Sequence, residues 1–237
     1  MYEKQIQTQL QTQTLKNGNG NGGYKIPAIV INLDTRTDRW QQIIQRFSNV
    51  NSIQLERFSA IKHSKGSTGC LLSHQSIVRY AKDNNYEMVL VLEDDCKVCN
   101  DFDLRFPTIV DWLITNKHCW DTFNGGPAFV KINNHYHSHY RYNHQTKILC
   151  RQLPIVMMSG LMCHFTIYNK SSYDTILSAN HNCAIDEHIN NNLRQVTSLP
   201  LLATQIPSQS NAQSGYKDYR NEFTKAQRKL TRFVSRN

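Results

Sequence analysis

No run of 18 or more apolar residues occurs anywhere in this chain, which excludes a helix of the usual membrane-spanning length. Negative charge is scarce: 18 Asp and Glu stand against 27 Lys and Arg, a formal net charge of +9. That balance suits polyanionic partners such as nucleotide phosphates, nucleic acid or acidic membrane. No nucleic-acid-binding motif accompanies the basic residues, so nucleic acid is not the expected partner. The N-terminal stretch is rich in Gln and Asn and lacks an apolar core, so a secretory signal is not expected. An even, regularly spaced set of cysteines is missing as well. The seven present (70, 96, 99, 119, 150, 163 and 183) are scattered, which argues for reduced thiols in a cytoplasmic protein rather than a disulfide framework. Cys96 and Cys99 make a C-x-x-C, but no second pair lies at zinc spacing.

What is present is enough for a core: 237 residues, 39% hydrophobic and 10% aromatic, sufficient for one large α/β domain or two small ones. The most informative stretch is Glu87-Met88-Val89-Leu90-Val91-Leu92-Glu93-Asp94-Asp95. An apolar run of this length, partly β-branched, reads as a buried strand of a parallel sheet. It runs directly into three carboxylates. In open α/β sheets, ligands bind just beyond the carboxyl ends of such strands. Three carboxylates side by side in a cleft repel one another unless a cation neutralises them, and hard oxygen ligands favour Mg²⁺ or Mn²⁺. The competing reading is an acidic, solvated turn.

Met1 to Gly23 is low-complexity and is expected to be a flexible arm, or less readily a helix through Ile6 to Leu15. Ile26 to Leu33 reads as a buried strand. Asp34 or Thr35 is expected to cap a helix from near Asp38, with Trp40, Ile43, Ile44 and Phe47 on its apolar face. Arg36 and Arg39 sit beside that turn, where cations could meet a diphosphate or simply lie on the helix surface. Ile53 to Phe58 reads as a second strand, followed by a polar loop from Lys62 to Thr68. Gly69 to Ala81 reads as a helix with Leu71, His74, Ile77, Val78 and Ala81 on one face; a histidine there is ordinarily a satisfied core residue.

Four pieces in this order, Ile31-Asn-Leu-Asp-Thr-Arg-Thr-Asp-Arg39-Trp40, Arg57-Phe-Ser-Ala60, Gly69-Cys-Leu-Leu-Ser-His74 and Val91-Leu-Glu-Asp-Asp95, resemble glycosyltransferase family 25, which includes lipooligosaccharide and procollagen galactosyltransferases. Trp120-Asp121 with Asn124-Gly-Gly126, Met158-Ser-Gly160 through Leu177, Ala184-Ile-Asp186, and Pro200 to Ser210 are similar to later segments of that family. The likeness spans roughly Lys25 to Asn211. It implies an α/β domain of the GT-A type, with a central, mostly parallel sheet flanked by helices. It also implies a nucleotide-diphospho-sugar donor, with uridine diphosphate the expected carrier, a glycan, lipid-glycan or glycoprotein acceptor, and inversion at the anomeric carbon. On this resemblance Asp95 is the first candidate metal ligand and Glu93 reaches the metal or the ribose, with Mn²⁺ or Mg²⁺ as cofactor. Asn32, Ala60, Gly69, Ser73, His74 and Asp94, with Arg36 and Arg39, are expected around the nucleotide sugar. Gln205 stands where a third ligand is sought.

Inversion needs one general base to take the acceptor's proton. Asp186 is the candidate, with Glu187 and His188 as rivals; Asp186 would serve equally as a helix N-cap. Two positions depart from the family pattern, Ser67 and Asn211, where acidic residues are usual. They keep open a non-catalytic nucleotide-sugar or glycan-binding relative.

His135-Tyr-His137-Ser-His139 through His144 would place three histidines on one face of a strand. A polar hairpin, an acceptor platform and a zinc or nickel site are the readings. From Lys217 to Arg236 the chain is basic, and Phe223, Ala226, Leu230, Phe233 and Val234 fall at helical spacing. This predicts an amphipathic helix over 213–237 that packs on the 24–212 domain, lies on anionic membrane or binds polyanion.

Overall fold

The computed structural model describes residues 26–132, 146–209 and 215–237. The N-terminal arm, the His135–His144 stretch and the departure at Asn211 lie outside the described residues. The first half runs β1 (Ala28–Asn32), α1 (Thr37–Arg46), β2 (Leu55–Ser59), α2 (Gly66–Asp83), β3 (Met88–Glu93), β4 (Cys96–Val98) and α3 (Phe102–Thr115). Next come β5 (Thr122–Asn124), β6 (Ala128–Lys131), β7 (Lys147–Cys150), β8 (Ile155–Met157), β9 (Ser159–Leu161) and β10 (Phe165–Asn169). A 3₁₀ turn, Lys170–Ser172, leads into α4 (Tyr173–Leu177) and α5 (Ile185–Asn192). The chain continues through β11 (Gln195–Ser198), β12 (Ala203–Gln205), β13 (Ser208–Gln209), β14 (Tyr216–Lys217) and α6 (Arg220–Arg236).

Eight strands form one sheet in the order β2-β1-β3-β10-β5-β11-β8-β7. β2 and β3 both pair parallel to β1, and β11 pairs parallel to β5. β10 is antiparallel to β3 and β5, and β8 is antiparallel to β11 and β7. Six of the eight strands therefore run one way, and β10 and β8 oppose them.

Alternation along the buried strands builds two apolar layers. Ala28 and Val30 of β1, with Met88, Leu90 and Leu92 of β3, face α1 and α3 through Ile43, Phe102, Phe106 and Ile109. Ile29, Ile31, Val89 and Val91 face the other side, against Leu71, Ile77 and Val78 of α2, Ile176 of α4 and Ile189 of α5. Both faces of β1 and β3 are covered, which is why their sequences are continuous apolar runs rather than alternating ones. Each fully buried aliphatic side chain contributes roughly 1.5–3 kcal/mol of transfer free energy.

The first turn differs from the sequence expectation. α1 begins at Thr37, its N-cap position is Arg36, and no side chain caps it. Asp34 accepts instead from Arg57 Nη2 and Ser59 Oγ, both at 2.8 Å, so its carboxylate joins the ends of β1 and β2 rather than the helix. α2 starts three residues earlier than expected, taking in part of the polar loop.

α6 packs on its own domain. Leu230 and Ala226 join Val130, Val156, Met158, Leu199 and Leu201 in a third apolar cluster, with Phe233 and Val234 partly buried against it. Lys229 Nζ donates to the Val130 carbonyl at 2.8 Å, and the Leu201 N–H donates to Gln227 Oε1 at 3.1 Å. Among the described residues, no helix is long and apolar enough to cross a membrane.

Candidate active site

Because β1, β2 and β3 are parallel and β10 runs against them, the segments after Asn32, Ser59 and Glu93 and the segment before Phe165 meet at one edge of the sheet. A cavity of about 480 Å³ opens there. Its lining includes Leu33, Ala60, Ile61 and Cys163, the triplet Glu93, Asp94 and Asp95, and Asp186. This volume falls within the range of small-molecule sites.

Two residues shape this lining. A Cβ on Gly69 would sit 2.5 Å from the Ile61 carbonyl oxygen, so only glycine lets α2 approach the loop after β2 this closely. Ser73 Oγ accepts the Ile61 N–H at 2.9 Å and donates to the Gly69 carbonyl at 2.8 Å. Both residues line the cavity. His74, one residue on, does not. It is fully buried, its Nδ1 stands 2.8 Å from the Tyr168 hydroxyl, and burial lowers its pKa to about 3, so the ring is neutral.

The three carboxylates of the triplet live in different surroundings. Asp94 is buried and already compensated. Arg39 Nη1 donates to its Oδ1 and Asn32 Nδ2 to its Oδ2, each at 2.8 Å, and Arg46 donates to its carbonyl oxygen. Arg39 also donates to Ser208 Oγ at 2.9 Å and to the Gln209 carbonyl at 2.5 Å. Asp94 and Arg39 therefore brace the cavity. Arg39, expected to meet a diphosphate, lines the cavity, with its Nη1 and Nη2 held by Asp94, Ser208 and the Gln209 carbonyl.

Glu93 and Asp95 are not balanced in this way. Desolvation, then repulsion from Asp95, Asp94 and Asp186, raises Glu93 to about pKa 8, with Arg39 opposing. Desolvation and repulsion from Asp94 raise Asp95 to about 6, opposed by Arg39 and by its bond from Gln205. Gln205 Nε2 reaches Glu93 Oε2 at 3.4 Å and Asp95 Oδ1 at 3.2 Å. Two under-compensated carboxylates beside an amide, at the mouth of a cavity, are a donor set that fits a hard divalent cation.

Asp186 is the second residue of α5, and the N-cap position is Ala184, so the capping reading does not hold in its simple form. Its Oδ2 accepts the Met162 N–H at 3.2 Å and its Oδ1 accepts the Glu187 N–H at 3.0 Å, which fixes the carboxylate toward the cavity. Glu187 is exposed and does not line the cavity, and His188 Nε2 lies 2.9 Å from the Thr175 carbonyl oxygen, engaged with α4.

Of the other expected donor-site residues, Ala60 lines the cavity, whereas Asn32 and Arg36 do not. Asn32 is buried as a connector, donating to Asp94 and accepting Arg57 Nε at 2.9 Å. Arg36 pairs with Asp38 at 2.8 Å on the surface. Residues that sequence reasoning missed include Lys62, Cys70, Lys217 and Tyr219, all on the cavity lining. Lys217 and Tyr219 arrive from the segment just before α6, and no local pattern announces that a residue so far along the chain folds back to the first strands.

A search of curated protein sequences returns no match. Among solved structures, the chain is similar to one titled as the crystal structure of apo-UDP-glucose pyrophosphorylase, at 8% identity and a TM-score of 0.39, over 88% of this chain and 81% of that one. Residues 62–153 match the sequence model of glycosyltransferase family 25 (LPS biosynthesis protein). The stretch carrying Gly69, Ser73, His74 and the Glu93-Asp94-Asp95 triplet lies within that match, and the match is to enzymes of the transferase class.

Proposed function

We propose that this protein transfers a hexose from a nucleoside-diphosphate carrier, a uridine diphosphate sugar, to a hydroxyl of a glycan, lipid-glycan or glycoprotein, with inversion. The observation that carries this reading is that under-compensated Glu93 and Asp95 share one cavity lining with the fixed carboxylate of Asp186. Glu93 and Asp95, with Gln205 turned to present its amide oxygen, would hold Mn²⁺ or Mg²⁺. Bound there, such an ion supplies charge stabilisation for a departing diphosphate. Lys62 and Lys217 on the same lining add positive charge near that group. The acceptor oxygen attacks the anomeric carbon from the face opposite the diphosphate. As the new bond forms, the sugar–phosphate bond breaks and its electron pair leaves with the diphosphate. Asp186 takes the acceptor's proton.

Calorimetric titration with uridine diphosphate, with and without Mn²⁺, tests this. Binding is expected to need the metal in the wild type and to vanish in Asp95→Asn while the circular dichroism spectrum is retained. Asp186→Asn is expected to keep donor binding and lose roughly 10²–10⁴-fold in transfer rate. Metal-independent binding of equal strength would overturn the assignment of Glu93 and Asp95. Full turnover in Asp186→Asn would remove the base.

A further inference from the structure

Beside the cavity lies a cluster of which the reading above uses Glu93 alone. Cys70 and His74 are four residues apart on α2 and therefore share a face. Glu93, the last residue of β3, meets that face. One potential ligand atom from each of the three lies within 4.8 Å of the others, and this is the one such group of His, Cys, Asp or Glu among the described residues. Cys70 Sγ stands 3.9 Å from Glu93 Oε1. The other carboxylate oxygen, Oε2, faces Gln205, so Glu93 looks two ways.

The second observation is the state of His74. Its side chain is fully buried, yet Nε2 has no hydrogen-bond partner. An unpartnered polar atom in such a place costs roughly 1–3 kcal/mol. Nδ1 is engaged with the Tyr168 hydroxyl at 2.8 Å. Metal-binding histidines generally use one ring nitrogen for a second hydrogen bond and the other for the ion, and Nε2 is the nitrogen that the Tyr168 bond leaves for one.

We propose that Cys70, His74 and Glu93 form a second cation site, distinct in chemistry from the oxygen-lined one, that takes a thiophilic divalent ion of the Zn²⁺ class. Sulfur, imidazole and carboxylate together are a donor set for zinc rather than for Mn²⁺ or Mg²⁺. A tetrahedral zinc would draw the three atoms to roughly 3.5 Å of one another. Cys70 and Glu93 also line the cavity, so a fourth position faces open space for water or a ligand. Occupied, the site ties α2 to the end of β3 and fixes one oxygen of Glu93.

The test uses the tag-free full chain, stripped of metal, titrated with Co²⁺ and then displaced by Zn²⁺. The expected result is a thiolate-to-cobalt charge-transfer band in the near ultraviolet, at one ion per chain, with a rise in melting temperature on adding Zn²⁺. Cys70→Ser is expected to abolish the band and weaken Zn²⁺ binding at least about tenfold. Glu93→Gln is expected to keep the band and weaken binding, and it carries the test if Cys70→Ser does not fold. Cys99→Ser is expected to change neither. Asp95→Asn is expected to keep the band while losing Mn²⁺-dependent nucleotide binding, so failure of one site is distinguishable from failure of the other. Absence of the band in the wild type, its survival in Cys70→Ser, or its loss in Cys99→Ser overturns the proposal.

Discussion

Arg39 and Asp94 form a salt bridge of 2.8 Å with side chains only 7% and 8% exposed. Removing one member of a buried pair leaves an uncompensated charge, which costs about 3–5 kcal/mol. Arg39→Ala is therefore expected to lower the melting temperature far more than Arg36→Ala, whose partner Asp38 is half exposed. Arg39→Lys is expected to rescue little, because one ammonium cannot reach Asp94, Ser208 and the Gln209 carbonyl together. Equal melting temperatures for Arg39→Ala and Arg36→Ala would show that the pair is not what holds the turn. The same residue illustrates the limit of sequence reading. Composition and position beside the first turn put Arg39 near the site, and it is there. Its partner, Asp94, was legible only as one of three similar carboxylates. Burial and partners, not residue type, set Asp94 apart as a brace and leave Glu93 and Asp95 under-compensated.

At the scale of elements, the apolar runs of β1 and β3 and the helical spacing of α2 and α6 were readable because burial on two faces, or on one stripe, leaves a direct trace in the sequence. The short strands β4, β12, β13 and β14 were not, since two or three residues hold no period. For α6 the sequence left domain packing, membrane and polyanion open, and packing is what the apolar stripe does. Leu230 is fully buried in the cluster beneath the helix. Leu230→Ala is expected to destabilise the protein by about 2–5 kcal/mol in denaturant titration, with the midpoint falling at unchanged slope. Charge reversal at exposed Lys225 or Arg232 is expected to stay within about 0.5 kcal/mol. A larger loss from the surface pair than from Leu230 would contradict the packing.

For the whole molecule, the buried histidines His74 and His164 and the raised carboxylates Glu93 and Asp95 set opposing pH limits. His164 is buried and its pKa is lowered to about 3 by desolvation. The folded state then binds fewer protons than the unfolded chain between that value and about 6.5, so stability is full above the window and is lost as pH falls through it. Glu93 is the reverse: its folded pKa of about 8 lies above the ordinary carboxylate value, so the folded state holds the extra proton and stability declines as pH rises through that range. The metal-free protein is expected to melt lower at about pH 9 than at about pH 6.5, and Glu93→Gln is expected to flatten that alkaline decline. Added Mn²⁺ is expected to raise the melting temperature more at the alkaline end, because protons no longer compete for the carboxylates. A melting temperature that climbs steadily to pH 9 without metal would remove the strain assigned to Glu93.

Lys217 and Tyr219 stand immediately ahead of α6, and Tyr219 is its N-cap position and packs edge-on against Phe129. Part of the cavity lining is thus carried by a latch whose hasp is the last helix. Heat or a protease that lifts this terminal segment would unseat the latch as well, so retention of the chain's end and grip on the donor should fade in step during ageing of a preparation.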